Sequence, residues 1–234
     1  MTAASPRDLL LAPAAFVPAM AARRLFWPPI AAAMAAGLLL AAVAVPRLDL
    51  ERAALDRIES RDAGAQPTPN ELEGELRTAR RVGTLAAYAG AALGPWVSAL
   101  GAALALWLAF KVAGGRPGFA GAFTVAAWGL VPGAVRALLS VPAALARSSI
   151  PPAELGRLLP SAPGALLPAG ASGPLASLLW SVDLFSLWAV AIVAAGMAPV
   201  AGVTPRRALA VVALLWLSHV AVLQVALPAL GGAR

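Results

Sequence analysis

"TLAAYAGAALGPWVSALGAALALWLAF", residues 84–110, carries no charge from end to end. As a helix rising about 1.5 Å per residue it would reach roughly 40 Å, more than the ~30 Å hydrocarbon core of a bilayer. It is apolar on every face, so the alternating strand of a membrane barrel is a poor fit. A helix satisfies its own backbone where no water is available to do so. The stretch therefore reads as a transmembrane helix. Gly94-Pro95 within it removes a backbone donor and is expected to kink it. Gly90 and Gly94 form a small-xxx-small pair of the kind that lets helices approach closely.

Composition extends this reading to the whole chain. Hydrophobic residues make up 60% and charged residues 12%, against about 25% charged in an average soluble domain. Mean hydropathy is +0.80. Too little polar surface remains to cover a water-soluble globule. Besides Thr84–Phe110, the runs Leu25–Val45, Gly118–Val141, Leu175–Pro199 and Ala208–Leu230 each reach spanning length. The expected fold class is all-α, a polytopic membrane helical bundle with five transmembrane helices. The first run follows Arg23-Arg24 and ends near "AAVAVP", as a signal peptide might. Its apolar core exceeds the 7–15 residues of a signal h-region, and it reads as a mature span. The expected layout is an N-terminal cytosolic segment over 1–24 and a five-span domain over 25–230.

Two long connections separate the spans. Arg47–Gly83 holds seven arginines and eight acids. "LDLERAALDRIES" (48–60) has apolar residues at near-helical spacing. "TPNELEGELRTARR" (68–81) opens with Thr68 as N-cap, Pro69 next and Glu71 at the third position. Early acids and late arginines suit the helix dipole. Two solvated helices are expected, the second running on into span two. The other connection, 142–174, is rich in Pro, Gly and Ser, and one short interfacial helix is expected over Pro152–Leu159.

Net charge is +7. The arginines sit beside apolar runs rather than on a basic face with interleaved aromatics, which argues against nucleic acid as a partner. Flanking cations orient membrane proteins instead. Five spans put Arg7, Arg23, Arg24, Lys111, Arg116, Arg206 and Arg207 on one side. The doublets Arg23-Arg24 and Arg206-Arg207 abut their spans, so that side is expected to be cytosolic, with the N-terminus there. Lys111 is the only lysine. With so much Ala, Gly and Pro, that bias suggests a GC-rich bacterial genome and hence the bacterial cytoplasmic membrane. There is no cysteine, which excludes disulfides and thiolate chemistry.

A family pattern lies over this frame. "PAAFVPAMAARRLFWPPI" (13–30) precedes span one and contributes Pro13 and Phe16. "LWLAFKVAGGRPGFAGAFTVAAWGLVP" (106–132) contributes Lys111, Gly114, Gly115, Phe119 and Pro132. "VDLFSLWAVAIVAAGMAPVAGVTPRRAL" (182–209) contributes Asp183, Phe185, Trp188 and Gly202. In this order the chain resembles the bacterial branch of the Yip-domain family, named for proteins that interact with Ypt/Rab GTPases. The resemblance implies five spans and a cytosolic N-terminus. Eukaryotic members of that family are associated with Rab-linked vesicle traffic, and nothing in this sequence carries Rab binding over.

Catalytic constellations are hard to find. "GGRPG" (114–118) reads as a turn rather than a phosphate loop, and neither a nucleophile elbow nor paired histidines occur. No cofactor or metal is expected, and a membrane-bound hydrolase is disfavoured for want of a nucleophile–base set. His219, mid-run, reads as a hydrogen-bonded packing residue. Ionisable groups inside spans are functional candidates, and two occur: Arg136 and Asp183. Counted along continuous helices, both lie roughly 7–12 Å below the same membrane edge. Tyr88 and Gln224 fall near that depth. A polar layer of Arg136 paired with Asp183, with Tyr88 and Gln224 as hydrogen-bond partners, is therefore expected. Its bland role is to pin spans three and four together. The functional expectation is a non-enzymatic scaffold that organises membrane or holds membrane or cytosolic proteins, a homo-oligomer included. The alternative is a small transporter or permease subunit using the Arg136–Asp183 layer.

Overall fold

A computed structural model describes residues 8–59, 67–168, 171 and 173–222. The order of helices is α1 (Asp8–Leu11), α2 (Pro13–Ala22), α3 (Trp27–Ala44), α4 (Leu50–Glu59), α5 (Pro69–Val112), α6 (Phe119–Trp128), α7 (Val131–Leu145), α8 (Pro174–Ser181), α9 (Leu184–Ala201) and α10 (Pro205–His219). Short 3-10 turns occupy Val45–Arg47, Pro152–Arg157 and Pro163–Leu166. The fold is all-α, with no strand among the described residues. Five helical stretches are long and apolar enough to cross a membrane: Trp27–Arg47, Pro69–Val112, Phe119–Leu145, Leu184–Ala201 and Pro205–Val222. The end of run five, residues 223–230, lies outside the described residues.

Three of these stretches differ from uninterrupted runs, each for a local reason. The second span and the helix before it are one element, α5, of 44 residues. At about 1.5 Å per residue it is some 66 Å long, twice the bilayer core, so its charged first turns project beyond the membrane. The third span is interrupted by a turn at 129–130, ahead of Pro132, which has no N–H to offer a continuous helix. The run Leu175–Pro199 is two helices, because Asp183 starts a new one at α9. The short helix expected over 152–159 is present as the 3-10 turn Pro152–Arg157, its two leading prolines favouring a tight start.

The chain forms two compact units: Met1–Ala33 with Pro95–Val135 and Pro160–Arg234, and Met34–Gly94 with Arg136–Leu159. In the first unit α2 packs on α6 and α9, α6 on α9, and α9 on α10. Its core includes Phe16, Val17, Phe110, Val125, Ile192 and Met197. The N-terminal segment is thus packed structure rather than a free tail. Its ten-residue apolar helix is too short to span and suits a buried or re-entrant piece. In the second unit a smaller core gathers Ala44, Ala144, Ile150 and Leu158. A parallel bridge joins Leu48 and Ile150: Ile150 N–H donates to Arg47 O at 2.7 Å and Asp49 N–H to Ile150 O at 3.0 Å. α3 meets α5 at Gly37, where a Cβ would sit in ordinary contact, 3.5 Å from Ala91.

Candidate functional site

The residues of the family pattern all lie in the first unit, and those after α5 and at the end of α9 meet at one joint. α5 ends on Gly114 in the left-handed region (φ 79°). There Gly114 N–H donates to Lys111 O at 3.0 Å and Gly115 N–H to Phe110 O at 2.8 Å. α9 ends the same way on Gly202 (φ 68°), with Gly202 N–H to Pro199 O and Val203 N–H to Ala198 O. Both are Schellman turns, which satisfy carbonyls that a helix end leaves orphaned. The two turns are tied together, since Arg116 N–H donates to Ala201 O at 2.9 Å. A Cβ on Gly115 would meet that same carbonyl at 3.0 Å, so glycine is what lets the backbones touch.

Aromatic side chains extend the joint. Lys111 Nζ lies 3.9 Å above the Trp107 ring, a cation–π contact. Trp107 meets Phe119 edge-on, Phe119 stacks on Phe123, and Phe123 meets Phe26. Phe16 on α2 meets Trp128 edge-on at 4.8 Å. Trp128 Nε1–H donates to Leu25 O at 3.0 Å, which fixes the chain between α2 and α3. α2 itself ends in a third Schellman turn, with Leu25 N–H to Met20 O and Arg24 N–H to Ala21 O. Here the left-handed residue is Arg24 (φ 52°) rather than glycine. α2 can reach α6 and α9 because Gly196 has no side chain. A Cβ there would lie 2.6 Å from Val17 Cγ1 and 2.9 Å from Val125 Cγ1. Pro132 is fully buried, and Pro13 opens α2 at its first position. Phe185 and Trp188 are half-buried in the first turns of α9.

Asp183 is 3% exposed and is the N-cap of α9. Its Oδ1 accepts from Ser186 N–H at 2.6 Å, and Asp183 N–H donates to Ser186 Oγ at 3.1 Å. The carboxylate sits at the positive end of the helix dipole and takes up an orphan donor. α9 has 18 residues and by itself covers about 27 Å of a ~30 Å core. The depth count from Leu175 assumed an unbroken helix and does not apply. Arg136 lies on α7 in the second unit, where its Nη2 donates to Gly156 O. Arg136 and Asp183 each have partners within their own unit. Tyr88 is half-buried on α5. Gln224 lies outside the described residues. His219 is exposed at the end of α10, not packed as expected.

The other buried polar side chains bond to their own helices. Thr124 Oγ1 donates to Ala120 O and Ser140 Oγ to Arg136 O. Among the described residues no group of three or more His, Cys, Asp or Glu could hold a metal ion. In the second unit, α4 and the charged start of α5 border a cleft of about 1390 Å³. Leu50, Ala54 and Ile58 of α4 and Glu71, Glu75 and Thr78 of α5 line it, with Pro151–Ala153 at its edge. Thr68 precedes α5, and its N–H and hydroxyl both donate to Glu71 Oε2, at 2.8 and 2.7 Å; this is the return half of the expected capping box, with Glu71 rather than Thr68 as the acceptor. Arg80 and Glu51 approach to 3.7 Å from the two helices.

The sequence pattern pointed to Phe16, Gly115 and Gly202 without saying what they touch. It missed Gly196, Trp128 and the docking of α2. The signal for α2 was available, as "PAAFVPAMAA" is apolar throughout and opens on proline. No curated protein and no solved structure matches the chain. A family model described as Yip1 domain matches residues 7–227. The joined turns, the packed α2 and the five apolar helices are thus the features of a multi-pass membrane protein that belongs to the Yip1-domain family.

Proposed function

We propose that the chain is a non-enzymatic scaffold of the bacterial cytoplasmic membrane, with its N-terminus in the cytosol, that holds a protein partner through its extramembrane helices. The observation that carries this reading is the cleft between α4 and the projecting start of α5. It combines apolar side chains, Leu50 and Ile58, with acids, Glu71 and Glu75, which is the mixed chemistry of a protein-binding surface. The polar side chains buried in the helices are engaged in caps and helix back-bonds, so they support packing rather than chemistry. The basic doublets beside spans one and five support the orientation. A photo-crosslinking residue at Thr78, in cells, should yield a discrete protein adduct. The same probe at exposed Leu108 should yield lipid adducts only. Identical adduct patterns at both positions would sink the scaffold reading.

The second reading is a small transporter or permease subunit, and the burial of Asp183 favours it. Its pairing with Arg136 is an expectation of the sequence. It predicts that Arg136→Asp and Asp183→Arg each lower expression severalfold and that the double exchange restores it. Two harmless single changes would end that pairing. A transport role further requires solute flux into proteoliposomes that either single change abolishes.

A further inference from the structure

A surface groove of about 500 Å³ runs between α5 and α10 in the first unit. One wall is Ala105, Leu108, Ala109 and Val112 of α5, with Ala113 just past its end, and the other includes Leu214 and Ser218 of α10. These positions repeat at three and four residues, so each wall is one helix face. The lining is apolar apart from Ser218. From Ala105 to Val112 the groove extends about 10 Å along the helix.

Its mouth is basic. Ala113 adjoins Gly114, and a Cβ on Gly114 would lie 3.4 Å from Arg207 Nη2. Lys111 stands one turn back on α5 over Trp107. Arg116 is joined to the same place through Ala201 O, and Arg206 precedes Arg207 at the start of α10. All four are exposed. No carboxylate occurs in residues 95–135 or 184–222. Among the described residues no ion pair engages any of the four cations.

We propose that this groove and its mouth bind one anionic phospholipid, an acyl chain lying between α5 and α10 and the phosphate held by Lys111 and Arg207. Charge decides the occupant. A second copy of the chain packed face to face here would bring two sets of four cations together, which is repulsive. A phospholipid brings the missing negative charge and a flexible apolar chain that suits an apolar groove between two helices. Cations near a membrane surface favour anionic headgroups by enough to give roughly a fivefold effect each. The inference rests only on membrane embedding and is independent of the scaffold reading.

The test is native mass spectrometry of the full-length protein released from detergent carrying equal amounts of palmitoyl-oleoyl phosphatidylglycerol and phosphatidylcholine. The wild type should retain phosphatidylglycerol about twenty-fivefold over phosphatidylcholine, the product of the two cations' effects. Lys111→Gln with Arg207→Gln should remove that preference. Ala109→Leu should displace lipid with the charges intact, and Ser218→Leu does the same from the opposite wall should Ala109→Leu fail to fold. Arg23→Gln, away from the groove, should change nothing. Equal retention of the two lipids by the wild type would overturn the proposal. So would an equal loss with Arg23→Gln, or a dimer that excludes lipid and is broken by Ala109→Leu.

Discussion

The two units use opposite means of holding helices together. Met1–Ala33 with Pro95–Val135 and Pro160–Arg234 contains just two carboxylates, Asp8 and Asp183. Its helices meet through close backbone approach at Gly115, Gly121, Gly129 and Gly196, where an added Cβ would collide at 3.0 Å or less. Met34–Gly94 with Arg136–Leu159 holds most of the acids. There Gly74, Gly90, Gly94 and Gly156 would meet nothing within 4 Å, and Gly83 would meet only the flexible side chain of Leu50, its methyls at 3.0 Å. The exposed pair Arg80–Glu51 joins α4 to α5, and Arg77–Glu73 pairs within α5. Such pairs contribute little, about 0–1 kcal/mol each, so the first unit should tolerate substitution far less well than the second.

Gly196→Val is the sharpest way to break that contrast. Its Cβ would press on Val17 and Val125 from a helix that cannot retreat, and overpacking of this kind costs about 1–3 kcal/mol or more. Gly90→Ala, on an open face, should instead gain about 0.5–1 kcal/mol through helix propensity. Thermal unfolding in detergent separates the two. If both shift the midpoint equally, the units do not differ as described.

Asp183→Ala removes the cap of α9 and should cost about 1 kcal/mol, up to 2. Asp183→Asn, which still accepts from Ser186 N–H, should recover most of it. A deficit in Asp183→Asn as large as in Asp183→Ala would mean that the charge matters beyond the cap.

A finer comparison uses the Schellman turns within the first unit. Gly202→Ala forces a side chain into a left-handed site and should cost about 1 kcal/mol. Arg24 already occupies such a site, so Arg24→Gly should stabilise by about as much. The same melting assay should move in opposite directions for these two changes. Movement in one direction would show that the charge of Arg24, not its backbone, controls that turn.

Much of this fold was legible because lipid imposes a simple rule on sequence. Uncharged runs long enough to span become helices, so the five spans, and α4 and the cap at Thr68, could be read from composition and spacing. What escaped detection was the breaks. Asp183 in "WSVDLFSLW" is one carboxylate in an apolar run, and period alone cannot tell a mid-span charge from a cap. Ser186 three residues on was the available sign, since Asp-x-x-Ser places an acceptor and a donor for a reciprocal pair. Gly196 escaped because a glycine among alanines looks like any small residue until the partner, Val17, lies against it. Phe16 and Gly202 were marked by family resemblance, but their contacts depend on which helices meet, and that lies in tertiary packing.

The smallest expected effect contrasts two helix caps. α5 starts outside the membrane-spanning stretch, and there Glu71 accepts from Thr68. The Thr68 N–H first, and then its hydroxyl, lower the Glu71 carboxyl below its ordinary value of 4.5, against a slight opposing desolvation. A depressed carboxyl stabilises the fold at pH values above the unfolded value and loses that contribution as pH falls through the folded one. The first turn of α5 should therefore be fully capped at neutral pH and fray as acid is added below 4.5. Amide hydrogen exchange at Thr68 and over residues 70–73, compared with Glu71→Gln at each pH, reads this directly because intrinsic rates cancel. The gap in protection should close on acidification. At the start of α10 the cap is a hydroxyl, Thr204 Oγ1, accepting from Arg207 N–H at 3.4 Å. It has no proton to gain in this range, so protection there should stay level. A gap at Glu71 that persists undiminished to pH values well below the carboxylate range would show that the hydroxyl of Thr68, and not the charge of Glu71, holds the turn.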